Sequence, residues 1–281
     1  MLLNFRFLII EEFSARIELE FKKAYGTLDA GASGFIAWLA RFALENIANS
    51  DMLYHDMEHT MLVTNVGQQI LVGKHLIDGG VTPRDWVNMI TALLCHDIGY
   101  VSGICRQDKE GICATGIGDE TVELPPGSTD AALTPYHVDR GQQFVRERFT
   151  GKMLVDIIDV DLVCSYIEMT RFPPPDDPAY KDTACYAGLV RAADFVGQLG
   201  DPDYIRKIPA LFYEFEQFGA NEKIGYKNPG DMRKGYAGFF WNVVKPFIGE
   251  AVRYLNVTQD GKQWVAGLYA HVFSAEHFSQ I

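Results

Sequence analysis

The stretch TALLCHDIGY (residues 91–100) ends an apolar run with two adjacent ionisable side chains, His96 and Asp97. Burying an unpaired carboxylate in a protein core is costly, or it forces the group to take up a proton. A bound cation removes this conflict, because it uses a neutral imidazole and an ionised carboxylate as ligands. His96 and Asp97 are therefore predicted metal ligands. The simpler alternative is a helix-terminal histidine beside a capping aspartate.

Two further segments carry side chains of the same chemistry. YHDMEHT places His55 and His59 four residues apart, so on a helix both rings would share one face. This spacing is weak evidence alone, and no H-E-x-x-H motif is present. LVRAADFVGQL places Asp194 inside an apolar, small-residue helix, where an unpaired carboxylate is unfavourable. Mixed histidine and carboxylate ligands suit one divalent cation such as Zn, Mn, Mg or Fe.

The remaining histidines and the cysteines carry no such signal. His75, His271 and His277 have no companion in the sequence, which is typical of ordinary surface or core residues. The five cysteines are odd in number and form no C-x-x-C pair, so a disulfide framework is not expected. This cysteine usage favours a reducing, cytoplasmic compartment.

Composition limits the classes of partner. The 281 residues are 48% hydrophobic and 22% charged, with a formal net charge of −12. Such an acidic chain is not expected to bind nucleic acid or an anionic membrane, but a bound metal can still attract a small phosphorylated substrate. No apolar run approaches the length of a membrane span, and the first residues do not have the pattern of a signal peptide. The oligomeric state is not predicted.

The elements that must position these side chains are helical. Apolar residues recur every three or four positions in 35–48, 59–77, 85–99, 139–149, 155–169, 184–199 and 239–255. Thr82 and Pro83 form a good helix start, and Pro246 predicts a break within the last segment. The sequence thus predicts an all-α, compact multi-helix bundle of roughly eight to twelve helices, with one domain over residues 1–281.

Two interruptions separate the helical segments. Residues 101–130 are rich in Gly, Pro and acids, and a loop of this length inside a domain is usually functional, so we expect it near the site. Residues 171–182 are predicted to form a proline-rich connector. Residues 1–34 are predicted to be an N-terminal helical extension.

The order H…HD…D on helices resembles the HD-domain metal-dependent phosphohydrolases. Tyr54-His55-Asp56-x-x-His59 looks like the Y-H-N-x-x-H motif of the class I cyclic-nucleotide phosphodiesterases, and His96-Asp97 matches their H-D. AADFVGQL is similar to their helix with the last metal aspartate. LFYEFEQFGANEKIGYKNPG and GYAGFFWNVVKPFIGEAVRYL are similar to two further segments of that family. The resemblance covers roughly residues 35–255 in order.

The resemblance implies a role for each matching residue. The implied ligands of the main metal are His59, His96, Asp97 and Asp194. His55 would be the general acid that protonates the leaving oxygen, and Asp97 would orient the attacking water. The substrate would contact Tyr54, His137, Tyr236 and Phe239, with Phe239 as an aromatic clamp and His137 as a phosphate contact or outer ligand.

Four positions depart from the family pattern. Tyr100 stands where a further histidine is expected, and Thr134 stands where a glutamate contacts a metal-bound water. Gly197 replaces an asparagine, and Tyr236 replaces the glutamine that reads the purine edge. These changes weaken the case for a firmly held second metal and weaken the case for cAMP or cGMP as the substrate still more, so the number of metals stays open.

The function expected from these features is hydrolysis of a phosphodiester in a small, nucleotide-like molecule by metal-activated water. Three alternatives remain open. The first is a catalytically degenerate domain that binds metal or nucleotide as a sensor, which Tyr100, Thr134 and Tyr236 would explain. The second is a di-iron HD oxygenase, which would need a second, redox-active metal. The third is an all-α structural protein in which the histidines and aspartates are incidental.

Overall fold

The computed structural model of the protein describes residues 4–26, 29–151, 154 and 156–277. Helices make up most of these residues, so the predicted all-α class is confirmed. The first six α-helices are α1 (Phe5–Tyr25), α2 (Ala30–Ile47), α3 (Met57–Ile77), α4 (Pro83–Cys95), α5 (His137–Phe149) and α6 (Val160–Glu168). The other six are α7 (Tyr186–Leu199), α8 (Tyr204–Gln217), α9 (Ala220–Ile224), α10 (Pro229–Phe239), α11 (Gly249–Leu255) and α12 (Gln259–His277).

Short elements fill the connections. The loop 101–130 contains two antiparallel strands, β1 (Ile112–Ala114) and β2 (Thr121–Glu123). Single 3-10 turns lie at Ile98–Tyr100, Asp130–Leu133, Pro178–Tyr180 and Lys245–Phe247, and a π-helical turn spans Phe240–Val244.

The helix boundaries correct the sequence prediction in three places. The helix predicted for 85–99 ends at Cys95, so His96 and Asp97 lie in the turn that follows it. The helix predicted for 155–169 begins only at Val160, and residue 155 lies outside the described residues. The helix predicted for 239–255 is broken into the π-helical turn, the 3-10 turn and α11, and Pro246 lies at the break as expected. Proline removes a backbone donor and clashes with the preceding turn, so the helix cannot continue through it.

The centre of the fold is formed by α3, α4 and α7. Helix α4 begins with a capping box, in which Thr82 and Asp85 cap each other's backbone amides, and its apolar body is fully buried. Helices α3 and α7 lie backbone against backbone, because a Cβ added at Gly197 would lie 2.7 Å from the Cα of Val63. An asparagine at residue 197 would therefore not fit this packing.

The N-terminal helix is part of the core rather than an appendage. Ile17 and Phe21 of α1 are buried in the same hydrophobic cluster as α2, α3 and α4. The Gln68 side chain of α3 donates a hydrogen bond to the Ile17 carbonyl at 3.0 Å. Among the described residues, no helix combines the length and the apolar character that crossing a membrane would need.

One fully buried arginine ties the loop 101–130 to the end of α4. The Arg140 guanidinium pairs with the buried Asp108 carboxylate at 2.9 Å. It also donates to the carbonyls of Gly99 (2.7 Å), Val101 (2.9 Å) and Ala114 (2.6 Å), so all three of its nitrogens are used. Because Gly99 and Val101 flank Tyr100, this pair fixes the position of the Tyr100 ring.

We expect Arg140→Met to lower the free energy of unfolding by about 3–5 kcal/mol, because the Asp108 carboxylate would stay buried without a counter-ion. Denaturant unfolding followed by circular dichroism measures this loss. The matched control is Arg146→Met on the same helix, whose partner Asp161 is largely exposed. This control should cost at most about 1 kcal/mol. Equal losses in the two variants would contradict the assigned role of Arg140.

Candidate metal centre

The beginning of α3 orients the first pair of histidines. The Asp56 side chain caps the helix by accepting from the His59 backbone N–H at 3.0 Å, which places His59 in the first turn. His55 lies two residues before the helix, so the expected helical i,i+4 geometry is wrong for this pair. The chain nevertheless brings the two imidazole rings within 5.3 Å of each other, centroid to centroid.

The end of α4 orients His96. Its Nδ1 lies 2.7 Å from the Leu93 carbonyl oxygen, one turn back in the same helix. A carbonyl oxygen can only accept, so Nδ1 must carry the proton and donate it. The neutral ring then presents a bare Nε2 lone pair, which is the form that binds metals. His96 thus caps its own helix and aims a ligand atom at the same time.

Four side chains, from α3, α7 and the turn after α4, bring their ligand atoms close together. The Nε2 atom of His96 lies 3.0 Å from Asp97 Oδ2 and 3.7 Å from Asp194 Oδ1. The Nε2 atom of His59 lies 3.3 Å from Asp97 Oδ2, 3.4 Å from Asp194 Oδ1 and 3.4 Å from the His96 Nε2. The structure therefore brings together the complete set of predicted ligands.

These distances fit one divalent cation. With bonds of about 2.0–2.2 Å, neighbouring ligand atoms around one ion are separated by roughly 2.9–3.5 Å. The Asp97 Oδ2 atom is fully buried and has no hydrogen-bond partner among the described residues, although two histidine nitrogens lie near it. A cation would satisfy this oxygen together with the neighbouring nitrogens. The residues present thus fit a divalent metal, and the hard–borderline donor set excludes copper(I) and iron–sulfur clusters.

The cluster is closed on one side and open on the other. His59, His96 and Asp97 are almost completely buried, whereas the Asp194 side chain is 20% exposed. His55 and His137 are also partly exposed, and His137 Nε2 lies 4.0 Å from Asp97 Oδ1. A ligand can therefore approach past Asp194, His55 and His137. The side chains of His59, His96 and Asp97 are shielded from solvent.

The electrostatics of the cluster show how strongly it attracts positive charge. Burial alone would lower the pKa of His59, but the neighbouring Asp194 and Asp97 carboxylates outweigh it and raise the pKa to about 9. Burial likewise opposes the charged form of His96, and Asp97 and Asp194 raise its pKa to about 9. Burial also opposes charge on Asp97, yet His96 and His59 hold its pKa well below the usual value. Without a metal, the raised pKa values favour protonated imidazoles at this site.

We expect metal uptake at pH 7 to release about two protons, because His59 and His96 must lose their protons to become ligands. Calorimetric titration with Mn²⁺ in buffers of different ionisation enthalpy measures this number. The release should fall toward zero above pH 9. The raised pKa values also make the two protonated imidazoles stabilise the metal-free chain below pH 6.5, and this contribution is lost as the pH rises through about 9. Metal binding without proton release at pH 7 would contradict the assignment of these ligands.

A glutamate that the sequence prediction missed holds His55. The Glu214 carboxylate of α8 lies 2.6 Å from His55 Nδ1, so Nδ1 donates to it and Nε2 faces away. Glu214 also accepts from the backbone N–H groups of Tyr54 (2.5 Å) and His55 (3.2 Å). Burial would lower the pKa of His55, but Glu214 outweighs it and raises the pKa. The sequence signal that could have identified Glu214 is its position on the apolar face of α8, three residues after Leu211.

Tyr100 fills the place where a further histidine was expected. Its ring is 4% exposed and stacks on His137, with centroids 4.2 Å apart and planes 7° apart. Its other side stacks on His55, with centroids 5.1 Å apart and planes 26° apart. Its hydroxyl group lies close to the side chain of Thr134, the second residue that departs from the family pattern, whose own hydroxyl donates to the Ala131 carbonyl at 2.7 Å. These two positions therefore form a contact of their own and offer no second set of metal ligands.

A second group of potential ligands also exists, but it overlaps the first. His55, His59 and Asp97 could together contact a cation. His59 belongs to both groups, Asp97 Oδ2 also lies 3.0 Å from His96 Nε2, and His55 Nδ1 is bonded to Glu214. The arrangement thus favours one cation.

His137 has the opposite character to His55. Its Nδ1 lies 2.6 Å from the Thr134 carbonyl oxygen, so Nδ1 donates and Nε2 is the free acceptor. Burial lowers the pKa of His137 and outweighs the attraction of Asp97. The pKa of His55 is raised and that of His137 is lowered. Two histidines with such different pKa values can act separately, one as a proton donor and the other as a proton acceptor.

The other predicted substrate contacts lie at different depths. Tyr54 is buried and packs on the rings of His55 and His59. Tyr236 is buried as well, and its hydroxyl donates to the Leu199 carbonyl at 3.1 Å, so a substrate contact would need the side chain to move. Phe239 is half-buried and packs on Phe172, an exposed ring that also contacts Phe195 beside Asp194.

Comparisons with known proteins place the chain in a family. Neither the comparison with curated proteins nor the comparison with solved structures gave a match. The Npun_R2479-like family matches over residues 3–278, which includes every residue of the metal cluster. The chain therefore belongs to the Npun_R2479-like family.

Proposed function

We propose that the protein is a metal-dependent phosphohydrolase of the HD type, which hydrolyses a phosphodiester in a small, nucleotide-like molecule. The observation that carries this proposal is that Asp97 and Asp194 each lie within 3.7 Å of the Nε2 atoms of His59 and His96, beside a histidine that can act as an acid. Four buried or partly buried ionisable groups at this distance have no role in stability that an apolar core would not fill better.

The chemistry needs charge stabilisation and proton transfer. A divalent cation would polarise the phosphoryl oxygens and lower the pKa of a water molecule. The chain itself would supply the rest. Asp97 and Asp194 orient the attacking water with their free carboxylate oxygens. The His55 imidazolium donates its Nε2 proton to the leaving alkoxide, because Glu214 raises its pKa and fixes the ring through Nδ1.

His137 would act on the other side of the rim. Its bare Nε2 lies 4.0 Å from Asp97 Oδ1 and can accept a hydrogen bond, which suits contact with the attacking water better than contact with a phosphoryl oxygen. Tyr100 keeps the rings of His55 and His137 parallel to its own and so maintains their separation. This division supports hydrolysis, in which one group accepts a proton and another donates one.

The proposed substrate is a phosphodiester, and its nucleobase is not specified. The exposed Phe172 and the half-buried Phe239 provide an apolar surface near Asp194 on which a flat group can pack. The Tyr236 hydroxyl is already bonded to the backbone, so it does not read the edge of a purine in this conformation. The five cysteines are free thiols in the structure, which supports a reducing, cytoplasmic compartment.

The test of this proposal is activity profiling with added metals. An aryl phosphodiester, an aryl phosphomonoester and a panel of nucleotides are assayed with Mn²⁺, Mg²⁺, Zn²⁺ and Fe²⁺, and metal content is measured on the same sample. We expect metal-dependent hydrolysis of the diester above that of the monoester. Bound metal without turnover on any substrate would contradict hydrolysis. Iron with a visible absorbance band and oxygen uptake would instead indicate an HD oxygenase.

One observation favours a second candidate, a metal- and nucleotide-binding sensor domain without turnover. Tyr100 and Thr134 fill the space beside Asp97 with a neutral contact. Saturable nucleotide binding in the presence of Mn²⁺, with no product after long incubation, would support this candidate over the enzyme.

A further inference from the structure

Arg191 is a buried guanidinium without a partner. Its side chain is 1% exposed, and its Nε, Nη1 and Nη2 atoms are fully buried with no hydrogen-bond partner among the described residues. Arginine stays protonated in proteins and cannot escape this cost by losing its charge. An arginine in this setting therefore indicates an anionic partner that binds from outside the chain.

The contrast with Arg140 shows how this fold treats a buried guanidinium that needs no ligand. Both arginines are fully buried. Arg140 has a carboxylate and three carbonyl oxygens around its nitrogens, whereas Arg191 has none of these. Burial lowers the pKa of Arg191, and Cys185 offsets this only in part. The missing partner is thus specific to Arg191.

A single aromatic ring covers the guanidinium. The Cζ atom of Arg191 lies 3.9 Å from the centroid of the Phe247 ring, which is only half-buried. Phe247 belongs to the irregular segment between α10 and α11, where a π-helical turn and a 3-10 turn replace regular helix. Such a segment has few helical hydrogen bonds to break, so a shift of Phe247 can uncover Arg191.

The position of Arg191 relates this group to the metal centre. Arg191 precedes Asp194 by three residues on α7, so both side chains start from neighbouring positions on one face of the helix. Phe195, next to Asp194, packs on Phe247 with ring centroids 6.3 Å apart. The guanidinium therefore packs under Phe247, and Phe247 in turn contacts Phe195, the neighbour of Asp194.

We propose that Arg191 is the binding group of a second site, closed by Phe247 in this structure, and that its ligand is a phosphate group. The planar guanidinium fork binds a phosphate group through two parallel N–H bonds, and the phosphate carries more negative charge than a carboxylate to offset the buried positive charge. The phosphate can be inorganic phosphate or the terminal group of a larger molecule. This site goes beyond the proposed hydrolytic function and does not depend on turnover at the metal centre.

The test is phosphate binding by the metal-free protein. Isothermal titration and thermal unfolding with sodium phosphate, at constant ionic strength, compare the wild type with Arg191→Met, Asp194→Asn and Arg16→Met. Arg16→Met removes one exposed positive charge and is the matched control. We expect saturable phosphate binding and a rise in Tm in the wild type and in Arg16→Met. Arg191→Met should bind phosphate at least about tenfold more weakly.

The outcomes separate this site from the metal centre. No binding in the wild type, or unchanged binding in Arg191→Met, would overturn the proposal. Binding that is strengthened in Asp194→Asn and kept in Arg191→Met would place the phosphate at the metal centre and would also overturn it. Acetate should raise Tm less than phosphate, and an equal, Arg191-dependent rise would replace phosphate by a carboxylate. Arg191→Lys keeps the charge without the planar fork, and wild-type affinity in that variant would contradict recognition by the guanidinium.

Discussion

Asp97→Asn is expected to weaken metal binding by at least about 10²-fold, because Asp97 is the ligand closest to both histidines. The asparagine keeps the size of the side chain but removes the negative charge that offsets the cation. It also leaves Asp194 as the only carboxylate of the cluster, so protons on His59 and His96 compete less strongly with the metal. The loss of a charged ligand outweighs this effect. Competition with a fluorescent chelator at pH 7 measures the affinity of both proteins.

The matched control for this variant is Asp201→Asn. Asp201 is also a buried aspartate close to α7, but its carboxylate pairs with Lys207 at 2.8 Å and lies outside the cluster. This change should reduce stability and leave metal affinity unchanged. Wild-type affinity in Asp97→Asn, or equal losses in the two variants, would show that the cluster does not hold the metal.

His55→Ala is expected to lower turnover by about 10²-fold or more while metal content stays unchanged, because His55 is the proposed proton donor and not a ligand. Steady-state rates with the best diester substrate and metal content on the same sample provide the measurement. The control is His75→Ala, which changes a histidine near the far end of α3. Normal turnover in His55→Ala would remove this residue from the mechanism.

Glu214→Gln separates the position of His55 from its chemistry. A general acid works only while protonated, so activity falls as the pH rises through the pKa of His55. Because Glu214 raises this pKa, the glutamine variant should lose activity at a lower pH than the wild type while binding the same amount of metal. A purely structural role of Glu214 would reduce the rate at every pH without moving this limb of the profile.

The sequence predicted the regular parts of the fold well. The capping box at Thr82 and the apolar periodicity of α3, α4 and α7 are local signals, and the helices follow them. Helices α8 and α12 were not among the predicted segments. Helix α8 contains Pro209 and alternates aromatic with acidic residues, so its local pattern is weak and its helix depends on packing against the rest of the chain.

The candidate site was predictable where ionisable residues interrupt apolar helices, as at His96, Asp97 and Asp194. The contacts that decide the chemistry were not predictable in the same way. Glu214 is 159 residues from His55, and Tyr100 contacts two histidines from different segments. Such contacts depend on how distant helices meet. The residue types and their spacing within one segment carry no information about contacts between distant segments.

The most direct test of a single metal centre is to measure diester hydrolysis while metal is added back to the metal-free protein in known molar equivalents. The proposed single centre predicts that activity rises in proportion to bound metal and stops rising at one equivalent per chain. Turnover by the metal-free protein, or no turnover with one equivalent bound, would contradict a one-cation phosphohydrolase.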